Sequence, residues 1–175
     1  MKGKQKQEIE NLAGEIYEAC GKYLDTLTNI YKIFYGEAHL DNKKSSCYKD
    51  EFLQRLMKTF KEKLTGLREV YEEIQKSYWG VENSSNDEIS DYVDRIIENS
   101  KTITVSLSFD YFIFLTETIY KNVSKCAEKH RIDLQQSRGA IMETGASLID
   151  AIKRLLNYEI KQDEKRASTI KRNKR

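Results

Sequence analysis

Residues 9–34 read IENLAGEIYEACGKYLDTLTNIYKIF, and within them Ile9, Leu12, Ile16, Ala19, Tyr23, Leu27, Ile30 and Phe34 recur at steps of three and four. That spacing gathers the apolar side chains on one face of an α-helix. Glu8, Glu10, Glu15 and Glu18 come early, where they complement the positive end of the helix dipole. The seam runs unbroken to Gly36, which predicts a single helix about 40 Å or more in length.

The same period returns downstream. Leu53, Met57, Phe60, Leu64, Leu67, Tyr71, Ile74 and Tyr78 predict a second long helix from about Tyr48 to Trp79, with Gly80 in the place of a C-terminal stop. Ser85-Asn86-Asp87-Glu88 has the form of a capping box, and Ile89, Tyr92, Val93, Ile96 and Ile97 give a short third helix. Residues 103–109 alternate apolar and polar, which is strand periodicity, yet no second strand exists to pair with them. A fourth helix from about Lys101 to Arg131, apolar on most sides, is therefore expected. The last helix starts near Asp133 and carries Leu134, Ile141, Gly145, Leu148, Ile152, Leu155 and Ile160. The expected fold is all-α: an antiparallel bundle of four long helices plus one short helix. Residues 1–167 form its single domain, and residues 168–175 a basic, flexible tail.

Composition agrees. Hydrophobic residues make up 39% of the 175-residue chain and charged residues 33%, enough apolar material for a core beneath a charged surface. There is no proline, so nothing of that kind interrupts long helices. No apolar run approaches the ~20 residues of a membrane span. The basic residues near the N-terminus are followed by Glu8, Ile9 and Glu10, so no signal-peptide core is expected. Cys20, Cys47 and Cys126 are odd in number and scattered, which predicts free thiols and a cytoplasmic location.

Motifs for chemistry are scarce. Gly139-Ala-Ile-Met-Glu-Thr-Gly145-Ala-Ser147 looks like a phosphate loop, but its glycine spacing is wrong and it lacks the lysine. Packing glycines are the better reading. Cys126 and His130 stand four apart, a spacing that metal pairs use on helices, but no second pair accompanies them. Glu37, His39 and Asp41 cluster in a loop, where a chelate would be weak. The Arg–His signature of HEPN ribonucleases is missing: no Arg precedes His39, and Arg154-Leu-Leu-Asn-Tyr-Glu159 ends in Glu where the His belongs. The expectation is no catalytic residue, no cofactor and no resident metal. An enzyme whose site is assembled from distant residues would have His39 and His130 as its acid–base groups near neutral pH.

Surface charge is more informative. Residues 81–130 hold 5 basic and 9 acidic side chains, and residues 131–175 hold 11 and 6. Asp87, Asp91, Asp94 and Glu98 form one acidic stripe at helical spacing, a candidate partner-binding surface. Lys165, Arg166, Lys171, Arg172, Lys174 and Arg175 form a basic end, a candidate contact for a partner or nucleic acid. Eleven tyrosines, an amphipathic type favoured at interfaces, point the same way. The functional expectation is a non-enzymatic interaction protein: a subunit, adaptor or inhibitor that docks on a larger protein or nucleoprotein, as in bacterial or phage conflict systems. An RNA- or DNA-binding accessory using the basic end and the Lys-rich second helix is the alternative. Homo-oligomerisation is compatible with either, and no membrane partner is expected.

Overall fold

The computed structural model describes residues 3–174, and the described chain is helical with no strand. Five helices follow one another: α1 (Gly3–Glu37), α2 (Glu51–Asn83), α3 (Ile89–Ser106), α4 (Phe109–Cys126) and α5 (Leu134–Asn173). The seam of α1 is buried as its period requires, with Ile9, Ile16, Tyr23, Leu27, Ile30 and Phe34 all inside. In α2, Leu53, Met57, Phe60, Leu67 and Ile74 are buried likewise. Side-chain caps start two of the helices. Asp50 Oδ1 accepts the Leu53 N–H at 3.0 Å to begin α2, and Asp133 Oδ1 accepts the Gln136 N–H at 3.0 Å to begin α5.

α1 and α5 lie antiparallel along the molecule. Gln5 meets Gln162 at one end, Glu15 pairs with Arg154 at 3.0 Å near the middle, and Glu37 accepts the Arg131 N–H at the other end. On the α1–α2 face, Tyr17 stacks between Tyr71 and Tyr78, with ring centroids 5.3 and 5.4 Å away. Gln75 donates to the Tyr17 hydroxyl at 2.8 Å. Further inside, Phe112 meets Tyr23 and Phe60 edge-on, which joins α4 to α1 and α2.

Several boundaries differ from the sequence expectation. The short third helix grows to Ser106 and the fourth starts only at Phe109, so two helices of equal length replace one short and one long. The break falls at Leu107–Ser108, where Ser108 takes an extended conformation. There the buried Tyr23 hydroxyl donates to the Leu107 carbonyl at 2.9 Å, a tertiary bond that satisfies a carbonyl left by the interrupted helix. The apparent strand alternation at 103–109 resolves into helix plus turn: Ile103 and Leu107 are buried four residues apart while Val105 is 81% exposed. The fourth helix also stops at Cys126 rather than Arg131.

Gly80 does not end α2, which continues to Asn83. A Cβ on Gly80 would run into the Tyr92 ring, so this glycine lets α3 approach α2. The expected capping box does not form its side-chain bonds; α3 begins at Ile89, and Ser85 closes a turn through its carbonyl to the Glu88 N–H. Ile160, expected inside, is 55% exposed. Residues 168–173, expected as part of a flexible tail, continue as the last turns of α5 and are exposed throughout. Arg175 lies outside the described residues.

The cysteine expectation is overturned. Cys47 and Cys126 form a disulfide, and Cys20 alone is free, buried in α1. Residues distant in sequence meet because the α1–α2 loop folds over the end of α4.

Candidate docking cleft

Where α1 begins and α5 leaves the bundle, the first turns of α3 stand apart from α5 and leave a cleft of about 750 Å³. Its floor is apolar: Ile9 from α1, and Ile89 and Val93 from α3, all near the edge of the core. Ile170, 57% exposed, projects over it from α5. Periodicity explains the placement. Glu159, Gln162, Arg166 and Ile170 succeed one another at steps of three and four, so one face of α5 supplies that entire wall.

The charged residues of this region are sparsely paired. Glu159 lines the cleft with no ion pair or hydrogen bond among the described residues. Burial raises its pKa first, Asp163 and Asp94 add to the rise, and Arg166 partly offsets it. Arg166 itself reaches Asp163 at 3.7 Å, a contact at the protein surface that contributes little.

The two sequence-defined charge clusters thus come to the same end of the molecule. Asp87, just before α3, and Asp91, Asp94 and Glu98 on α3 are all exposed; none of them lines the cleft, and Asp94 acts electrostatically on Glu159 of α5. Only Glu98 of the four forms a salt bridge among the described residues, to Lys101 at 3.6 Å. On α5, Lys165 and Arg166 line the cleft, while Lys171, Arg172 and Lys174 follow on the projecting turns. No salt bridge joins the α3 acids to the α5 bases among the described residues.

A second depression of about 630 Å³ lies at the opposite end, lined by Glu37, Ser124 and residues 127–131. It contains a contact that the sequence did not signal: Ser124 Oγ lies 2.9 Å from His130 Nε2. Such a pair invites comparison with a nucleophile and its base, but the imidazole is bonded the wrong way round. Its Nδ1 accepts the Ile132 N–H at 3.3 Å, so the neutral ring carries its proton on Nε2 and donates it to Ser124. A general base needs that nitrogen free. Glu37, the nearby acid, is engaged with the Arg131 backbone instead of orienting the ring.

Metal ligation fares no better in this region. Cys126 and His130 do not share a helix, because α4 ends at Cys126, and the Cys126 sulfur is already bonded to Cys47. His39 sits in the α1–α2 loop at φ 51°, away from any set of three or more metal-type ligands among the described residues. Gly139 and Gly145 lie within α5; a Cβ on Gly145 would come 2.5 Å from Phe109, which makes it a packing glycine. No helix among the described residues is long and apolar enough to cross a membrane.

Comparison of the chain with protein families, curated proteins and solved structures finds no significant match.

Proposed function

We propose that this protein is a non-enzymatic interaction module that docks on a helical segment of another polypeptide through the cleft between α3 and α5. The observation that carries this reading is the cleft itself, with Ile9, Ile89 and Val93 at its base and Lys165, Arg166 and the exposed Ile170 along its α5 wall. Grooves of this kind take an amphipathic helix, its apolar side inward and its charged flanks against the rims. The Ser124–His130 bonding pattern favours a binding role over hydrolytic chemistry.

The test is a photo-crosslinking residue in place of Ile170 in the cleft, compared with one in place of Phe114, which is 62% exposed on α4. A polypeptide adduct at position 170 alone, unchanged by nuclease, is expected. Equal labelling at both positions, or none at 170, sinks the reading.

One observation favours the nucleic-acid alternative: Lys161, Lys165, Lys171 and Arg172 are exposed or half-exposed and make no ion pair among the described residues. Nuclease-dependent capture in the same experiment would promote it. Cytoplasmic residence belongs to the proposal, and the Cys47–Cys126 bond provides its test. Acid-quenched thiol counting on protein taken from its cell gives three thiols in a reducing compartment and one in an oxidising one.

A further inference from the structure

The last turns of α5 and the cleft beside them are both unpartnered, and their properties match. From Asp163 onward every described residue of α5 is exposed, and Ile170 is the one large apolar side chain in those turns. A helix so polar and so bare gains little from packing, although packing is what holds most short helices together in water. The α3–α5 cleft meanwhile has Ile9, Ile89 and Val93 at its base, each at most 5% exposed, and the exposed Ile170 at its rim.

The order of charges along α5 says what fits. Glu159, Asp163 and Glu164 come first, with Lys161 between them, and Lys165, Arg166, Lys171, Arg172 and Lys174 follow with no acid among them. Two such ends laid parallel place like charges side by side. Laid antiparallel, crossing near Lys165, they set the acidic half of each against the basic half of the other. Asp94, exposed on α3, is within electrostatic reach of Glu159 on the α5 wall of the cleft.

We infer that the occupant of the cleft is the projecting α5 end of a second copy of this chain, forming a two-fold symmetric dimer. This rests on the docking reading above and names its partner. A two-fold interface must be self-complementary, each patch supplying both halves of every contact. Here one surface carries the cleft, the Ile170 knob, and the acidic and basic halves of the α5 end. In the dimer, Ile170 of each copy enters the cleft of the other, and the basic turns lie beside the other copy's α3 acids. The interface is small and strongly charged, so the dimer dissociates at concentrations on the order of 1–10 µM and loosens with added salt.

Sedimentation velocity on the purified chain tests this, with two single variants. Ile170→Glu alters the cleft-facing side chain; Phe52→Glu alters a residue of similar exposure on α2, 51% against 57%, that does not line the cleft. Wild type and Phe52→Glu are expected to show a concentration-dependent dimer, and Ile170→Glu to remain monomeric with unchanged helicity. Removal of residues 168–175 should match Ile170→Glu, which guards against a folding artefact of the substitution. A wild-type monomer up to about 100 µM overturns the inference, since a dimer of this affinity is mostly assembled there. So does a dimer indifferent to Ile170→Glu, or one equally lost in Phe52→Glu. The two proposals fail separately. A monomeric wild type that still crosslinks at position 170 to a different polypeptide refutes the dimer and keeps the docking role, whereas a monomer with no adduct at 170 refutes both.

Discussion

Cys47 and Cys126, 79 residues apart in sequence, are joined by a disulfide with Cα atoms 5.0 Å apart. The bond fastens the α1–α2 loop to the last residue of α4. Cross-linking residues so distant removes much chain entropy from the unfolded state. The Cys47→Ser/Cys126→Ser variant should therefore unfold in guanidinium with about 2–4 kcal/mol less stability than the oxidised protein. Reduced wild type should coincide with the variant. Three reactive thiols in denatured, unreduced protein would show that the bond does not form.

Gly139 and Gly145 lie on the same helix but face different surroundings. A Cβ at 139 meets nothing within 4 Å, while one at 145 would come 2.5 Å from Phe109. Gly139→Ala should raise stability by about 0.5–1 kcal/mol through helix propensity. Gly145→Ala should lower it by about 1–3 kcal/mol through overpacking against α4. Thermal denaturation of the two variants side by side reads the difference in sign, and equal shifts would mean that the α4–α5 contact is misplaced.

Cys20 and Tyr23 are both buried near the middle of α1, and burial favours their neutral forms. The Cys20 thiol is pushed from 9.0 to about 12, and the Tyr23 hydroxyl is raised well above its ordinary value of 10.0. A raised value in the folded state means that the associated stability is fully present below the unfolded value and lost as pH climbs toward the folded one. Stability should thus be insensitive to these groups below pH 9.0 and fall between there and about 12. In native protein at about pH 8, Cys20 should resist alkylation until denaturant is added. Rapid native labelling would contradict its burial.

The exposed end of α5 separates the candidate partners. Deleting residues 168–175 should change the melting temperature of the monomer by no more than about 2 °C, because exposed terminal turns bury little. If duplex nucleic acid were the ligand, the same deletion would flatten the log–log salt dependence of binding by about 0.9 for each phosphate no longer neutralised. We expect no such salt-linked nucleic-acid binding in titrations with duplex DNA or RNA, and a steep slope that the deletion removes would reverse that expectation.

Two misread positions show where local sequence information ran out. Leu107 sits in a stretch whose apolar residues fit either a strand or a helix, and the Tyr23 hydroxyl, 84 residues away, meets its carbonyl where the helix breaks. Gly80 has the position of a helix stop, but its role depends on the Tyr92 ring packed against it. The sequence marked two charged clusters, Asp87–Glu98 and Lys165–Arg172, of which only Lys165 and Arg166 line the cleft. Nothing in either stretch said that they lie at one end of the bundle.

The sequence by itself determined that the chain is an all-α bundle, because a seam repeated every three to four residues can be buried only by helices packed together. It also set the start of α5, since the Asp133 cap acts on the backbone N–H just three residues further along. Tertiary structure alone decided the disulfide, the α3–α4 break, the Ser124–His130 contact and the cleft. Each of these depends on which distant segments come together in space, and periodicity records only which face of a helix is apolar, never which helix will cover it.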